Sequence, residues 1–191
     1  PSFSKMPDDF NKMNFSLFPV EIKEWRGCVF INLKNGVKWN KDSLFQRSPE
    51  AFKNFPIDEM IVSNVWEKTI NCNWKSFWEN FNECLHCPNI HPELTELVPM
   101  FTRRIINPQD LSGWVPKTRE SDPKFSGGLK KGAETWSEDG LAQGCQIDSL
   151  SENDLLKGHV YASSWPSMFI GGYSDHVRIV RVTPTESEKV T

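Results

Sequence analysis

The passage Asn73 to Leu94, NWKSFWENFNECLHCPNIHPEL, gathers residue types that hold metals: Glu83, Cys84, His86, Cys87 and His91. The chain has only four histidines, His86, His91, His159 and His176, and two of them lie in this passage. Residues three or four apart share one face of a helix, so Glu83 and His86 are expected to project the same way. His91 stands five positions beyond His86, a poor helical spacing, but Pro88 lies between them. A proline there is expected to end or distort the helix, so that the chain folds back and both imidazoles reach a common point. Two His and one carboxylate on one side of an octahedron leave positions open for oxygen and substrate, the arrangement that suits non-haem Fe(II) chemistry.

The same residues admit other readings. Zinc would be satisfied by Cys84, Cys87, His86 and His91, and a capped helix end with solvated imidazoles needs no metal at all. Against zinc, Cys84 falls on the apolar stripe of the helix and is expected to point into the core, away from His86. A thioredoxin-like use of Cys84 and Cys87 needs a helix N-terminus, whose dipole lowers a thiol pKa, whereas this pair is expected at a helix end. His159 and His176 fall in strand-like text and read as packed or solvated sheet residues. Asp175 and His176, adjacent in a strand, are expected to face opposite ways. The five cysteines, Cys28, Cys72, Cys84, Cys87 and Cys145, are odd in number and irregularly spaced. A domain this size needs no covalent staples, so a reduced, cytoplasmic setting is expected.

The elements that must position this passage follow from periodicity. From Trp74 the apolar residues Trp74, Phe77, Trp78, Phe81, Cys84 and Leu85 recur at three and four, which predicts one buried helical face over Trp74 to Leu85. Upstream, Pro19 to Leu33 reads as two strands joined by a tight turn at Arg26-Gly27. Asp42 to Phe55 holds a short helical pattern interrupted by Pro49, and Met60 to Cys72 alternates as a third strand. Ile106 to Lys131, rich in Pro, Gly, Ser and Asp, reads as a long surface excursion. His159 to Val182 reads as strands, with a break at Gly171-Gly172. Runs of strands with few helices argue for an α+β fold with an antiparallel sheet.

Composition narrows the partners. The chain of 191 residues carries 22 Lys+Arg against 25 Asp+Glu, a net charge of -3, so electrostatics gives no reason to expect nucleic acid or anionic lipid. No stretch approaches the roughly 18 to 20 apolar residues of a membrane span, and the first residues lack the marks of a signal peptide. The eight Trp are expected to be mostly core. No repeat or low-complexity tract is found.

The run NWK, then EN four residues on, then E-C-x-H-C-x-x-x-H-P, resembles the catalytic domain of Rieske non-haem iron oxygenase α subunits. Within them it is most similar to the branch acting on quaternary ammonium compounds such as choline, carnitine and glycine betaine. The hairpin ending GCVFINL and the terminal DHVRIVRVTP also look like segments that flank the motif in that family. The resemblance implies that His86 and His91 ligate a mononuclear Fe(II). It places Glu83 at the carboxylate that bridges an iron-ligating His to the Rieske cluster of a neighbouring subunit, with Asn80 at a polar neighbour whose role is open. Aromatic-ring dioxygenases usually have Asp at that bridge, so Glu83 weighs against that alternative.

The implied fold is α+β of helix-grip type, a curved antiparallel sheet packed against helices. The implied reaction is oxygenation of a small organic substrate with O₂. Electrons would come from NAD(P)H through a reductase or ferredoxin and a two-iron two-sulfur Rieske centre, in a homotrimer. Cys84-Leu85-His86 mimics half of a Rieske signature, but no Cys-x-x-His follows. The chain is therefore expected to be a single catalytic domain over 1–191, truncated at both ends. It would lack the Rieske domain and the C-terminal helix with the family's third iron ligand, and would be inactive alone. A helix-grip domain that binds a small molecule without metal is the alternative of a different class.

Overall fold

A tight turn at Arg26-Gly27 joins the first two strands of the chain. Both residues are left-handed, with φ of 52° and 75°, the backbone that matches the twist of two antiparallel strands joined by a two-residue loop. They connect β1 (Glu21–Trp25) to β2 (Cys28–Asn32), with Trp25 opposite Cys28 and Glu21 opposite Asn32. This is the hairpin that the sequence predicts. In this computed structural model the described residues are 7–34, 36, 49–103, 128–165 and 167–191. The chain divides into two compact units, 1–39 and 40–191, and the hairpin belongs to the first.

The second unit is organised by a three-stranded antiparallel sheet in the order β3-β4-β5. Its strands are His159–Ser164 (β3), Met168–Tyr173 (β4) and Val177–Arg181 (β5). Every residue of the central strand β4 is buried, because both of its faces are covered. Alternate side chains point to opposite faces, so Phe169 meets one layer and Gly172 the other. On the Phe169 side lies helix α1 (Trp74–Asn82), started by Asn73, whose side chain accepts from the Lys75 backbone N–H at 2.9 Å. Trp78, fully buried, sets its ring edge-on to Phe169 at 5.8 Å between centroids, and Phe81 lies 4.7 Å from the same ring. Trp78, Phe169, Val182 and Val190 form the core cluster, with Trp74, Phe77, Tyr161 and Val180 against it. On the Gly172 side, Phe55 and Val160 fill the opposite layer.

After α1 come two short helices, α2 (Cys87–Ile90) and α3 (Pro92–Leu97). A fourth helix, α4 (Glu152–Lys157), is one that apolar periodicity does not announce. It is held by a capping box between Ser151 and Asp154 and ends at Gly158, whose φ is 73°. A two-stranded sheet, β6 (Pro184–Glu186) with β7 (Lys189–Val190), completes the unit. The mix of helices and antiparallel sheets agrees with the α+β expectation.

Two expectations about elements need correction. Met60 to Cys72 is not a strand: among the described residues its one ladder contact is the bridge from Ile70 to Val190. Ile61, Val62, Val65 and Trp66 are 89%, 81%, 82% and 76% exposed. The alternation is present, but among the described residues no strand pairs with it apart from that single bridge. Gly171-Gly172 is not a break but the interior of β4, and the chain reverses between Ser164 and Met168 instead, where the Ser167 N–H donates to the Ser164 carbonyl at 3.0 Å. These glycines answer to close packing. A Cβ on Gly172 would lie 2.7 Å from the Phe55 ring, and one on Gly171 would lie 2.8 Å from the Tyr173 hydroxyl.

The tryptophans are not uniformly core. Trp78 is fully buried, but Trp66 and Trp165 are exposed. Trp165 stands on the β3-β4 reversal, packing edge-on against Trp74 at 5.3 Å, and a reversal leaves its outer side to solvent. Of the pattern expected over Asp42 to Phe55, residues 42–48 lie outside the described residues, and the rest begins with the 3₁₀ turn Pro49–Phe52. The excursion expected from Ile106 to Lys131 likewise lies outside them as far as residue 127. No helix among the described residues is long and apolar enough to cross a membrane.

Candidate functional site

The predicted helix stops earlier than its apolar stripe suggests. α1 ends at Asn82, whose side-chain amide donates to the Trp78 carbonyl at 2.8 Å, and Glu83 is already extended at φ -131° and ψ 157°. A side chain that takes a helical carbonyl competes with continuation of the helix. Cys84 and Leu85 therefore leave the stripe, and Leu85 is 53% exposed. Pro88 does not end α1; it lies in the first turn of α2, as Pro92 does in α3. Proline is suited to that place because the first helical N–H groups have no partner within the helix. The fold-back foreseen between the two histidines is thus one helical turn, with His86 preceding α2 and His91 at the junction of α2 and α3.

That turn brings the imidazoles together. The rings of His86 and His91 have centroids 5.3 Å apart and planes at 75°. His86 Nδ1 meets Glu83 Oε1 at 2.5 Å, and Glu83 Oε2 accepts the Leu85 backbone N–H at 2.5 Å. Both carboxylate oxygens are engaged by groups just downstream. The hydrogen bond with His86 is the largest influence holding the Glu83 carboxyl below its ordinary pKa; partial desolvation opposes it, and the Leu85 N–H and the His86 charge assist. An ionised Glu83 accepts, so the Nδ1 atom carries the proton and Nε2 is the nitrogen of His86 suited to a metal. Asn80 is exposed on α1, and no hydrogen bond joins its side chain to Glu83, His86 or His91.

The cysteines differ from expectation. Cys84 does not point into the core as a thiol: it is bonded to Cys87, with Cα atoms 5.0 Å apart. Loss of the helical path after Asn82 is what lets the two sulfurs meet, and with both in that bond the zinc reading loses its two thiolate donors. Cys28, Cys72 and Cys145 are free. Two imidazoles with a carboxylate fixing one of them suit the histidine half of a facial triad. Among the described residues no cluster of three or more His, Cys, Asp or Glu is arranged to hold a metal ion.

A second polar cluster corrects the expectation for Asp175 and His176. They do not alternate along a strand but lie in the turn between β4 and β5, where His176 Nδ1 is 2.8 Å from Asp175 Oδ1. The Asp175 side chain is only 3% exposed. It also accepts from the Thr135 hydroxyl at 2.6 Å and the Gln143 backbone N–H at 2.9 Å. Burial raises the Asp175 pKa, but these hydrogen bonds outweigh it and the net shift is downward. Turn residues such as Ser174-Asp175 carry a local signal for this arrangement; the partners at 135 and 143 carry none. His159, at the start of β3, packs edge-on to Trp136 at 4.3 Å.

Residues 50–191 match the family described as ring hydroxylating alpha subunit (catalytic domain). The chain is 27% identical over 97 residues to the carnitine monooxygenase oxygenase subunit of Acinetobacter pittii, a match covering 48% of this chain and 25% of that protein. It is 32% identical over 93 residues to the glycine betaine monooxygenase oxygenase subunit of Pseudomonas aeruginosa, covering 48% of this chain and 21% of that protein. The matches thus span about a quarter of the length of these relatives. In fold the chain is similar to the crystal structure of the quaternary ammonium Rieske monooxygenase CntA, with a TM-score of 0.58 at 16% identity, covering 96% of this chain and 44% of that one.

Proposed function

The chain belongs to the catalytic-domain family of ring-hydroxylating alpha subunits, and on that premise we propose that it carries the iron site of an oxygenase acting on a small quaternary ammonium compound. The observation that carries this reading is the pairing of His86 with His91 at 5.3 Å while Glu83 holds the first ring. In it, His86 through Nε2 and His91 hold a mononuclear Fe(II), which when bound supplies O₂ activation. Glu83 is a positioning residue: it fixes the ring plane of His86 and keeps the proton at Nδ1, as carboxylates behind metal-bound histidines do. The Leu85 N–H anchors the other oxygen of Glu83, so the carboxylate cannot swing away without losing two hydrogen bonds. Asn80 is kept as a polar neighbour on α1.

The substrate class rests on the relatives, whose names specify carnitine and glycine betaine. The remaining parts of the proposal come with the family: electrons from NAD(P)H through a reductase or ferredoxin and a two-iron two-sulfur Rieske centre, a homotrimer, a helix-grip sheet and a cytoplasmic location. Anaerobic loading with Fe(II) followed by metal analysis tests the site. About one iron per chain is expected, lost in both His86→Ala and His91→Ala; retention in both variants would overturn the ligand assignment. Substrate-dependent O₂ uptake with carnitine or glycine betaine, in the presence of a reductase and a Rieske-containing partner, tests the substrate class.

A further inference from the structure

The Cys84–Cys87 bond closes a ring around just two residues, Leu85 and His86. Those are the two residues whose Leu85 N–H and His86 Nδ1 meet the two oxygens of Glu83. A crosslink spanning a sequence separation of 3 removes little chain entropy from the unfolded state, so it is not a staple for the whole fold. Its effect is local, on the turn that leads from α1 into α2. The other three cysteines are free, so the chain is not of the disulfide-scaffold kind, and in the cytoplasmic location proposed above an isolated disulfide is usually one made and broken in use. The two sulfurs also differ in access: Cys84 is partly exposed, whereas Cys87 is 2% exposed.

We propose that Cys84 and Cys87 are a reversible dithiol–disulfide site whose oxidised form locks Leu85 and His86 onto Glu83. The oxidant class is a peroxide. The partly exposed Cys84 thiolate attacks one peroxide oxygen, the O–O bond breaks, and with a proton taken up the products are a Cys84 sulfenic acid and water. The Cys87 thiol then attacks the Cys84 sulfur, forming the S–S bond and releasing a second water. The sum is two thiols and one hydrogen peroxide giving one disulfide and two waters. A small dithiol reverses it by exchange, becoming a disulfide itself. The site lies beside the proposed iron ligands but does not depend on them, and its test needs no metal.

The metal-free chain is treated with hydrogen peroxide or with dithiothreitol, and its thiols are counted after denaturation. Three thiols are expected in the first case and all five in the second, with the loss of two hydrogens mapped by mass spectrometry to the peptide holding Cys84 and Cys87. Backbone hydrogen exchange over residues 83–91 should quicken about threefold or more on reduction, while exchange in 74–81 stays unchanged. Cys84→Ser should show the faster exchange under both conditions. Five thiols after peroxide, a disulfide to Cys28, Cys72 or Cys145, or exchange over 83–91 that ignores the redox state would each overturn the proposal. The wild-type measurements decide it even where a variant folds poorly.

Discussion

His91 reaches His86 across a single turn of helix, and their rings stand 5.3 Å apart at 75°. The meeting of the two imidazoles depends on that turn more than on α1. Had α1 run on to Leu85, Glu83 and Leu85 would have lain in one helical cylinder, where the Leu85 N–H would be committed to a backbone carbonyl. Because α1 stops at Asn82, that N–H is available to the carboxylate of Glu83.

Removing either imidazole should remove the metal. His86→Ala and His91→Ala are each expected to lower the affinity of the chain for Fe(II) by about 100-fold or more, since a site built on two nitrogens keeps only one. Competition against a chelator of known affinity under anaerobic conditions checks this, and circular dichroism confirms that the variants fold.

In the proposed site Glu83 acts through His86, so its loss should weaken metal binding without abolishing it. Glu83→Gln is expected to cost about 10- to 100-fold in Fe(II) affinity, the usual effect of removing a carboxylate behind a metal-bound histidine. Glu83→Asp, which keeps the charge but shortens the reach, should recover part of the loss. A Gln variant as tight as the wild type would show that the 2.5 Å contact does not orient the ligand.

Much of this site was legible before any coordinates. The spacing of Glu83, His86 and His91, with Pro88 between the histidines, predicts two imidazoles near each other, and the rings stand 5.3 Å apart. The turn itself differs from expectation: Pro88 does not stop the helix but stands in the first turn of α2, where proline is equally at home, because α1 has already ended at Asn82. Period-two alternation at Met60 to Cys72 was misleading for a related reason. It reports which side chains share a face and says nothing of whether a partner strand exists. Gly171-Gly172 carried a turn signal in sequence, but its meaning depends on Phe55 and Tyr173, and Phe55 is more than a hundred positions away.

Gly172 offers a test of that packing. A Cβ there would lie 2.7 and 2.8 Å from two carbons of the Phe55 ring and 2.9 Å from Val160 Cγ2. Phe55 is 2% exposed, so its ring has nowhere to withdraw. Gly172→Ala is expected to destabilise the fold by about 1–3 kcal/mol, the ordinary cost of overpacking a core. In a Phe55→Leu background the same change should cost less, as the methyl gains room. Urea denaturation of the four proteins in this cycle measures the coupling, and additive effects would show that the two sites do not meet.

Asp175 is expected to contribute to the acid limb of stability. Its carboxylate receives Thr135, Gln143 and His176 in a pocket that leaves the side chain 3% exposed, and its folded pKa is lowered. A carboxyl whose pKa is lower folded than unfolded adds stability above its unfolded value of about 3.9, and that stability is lost as pH falls through the folded value. Asp175→Asn keeps the shape but turns an amide N–H₂ towards donors, so near pH 7 it should cost about 1–3 kcal/mol. As pH falls through the lowered folded value the wild-type carboxyl takes up its proton and forfeits the same advantage, so the gap between the two proteins should narrow towards the acid end. Urea midpoints measured from pH 2.5 to pH 7 give the difference directly. A gap between wild type and variant that stays constant across this range would place the acid sensitivity in other carboxylates, with Asp154, also lowered and held by Ser151 and Asn54, the next to test.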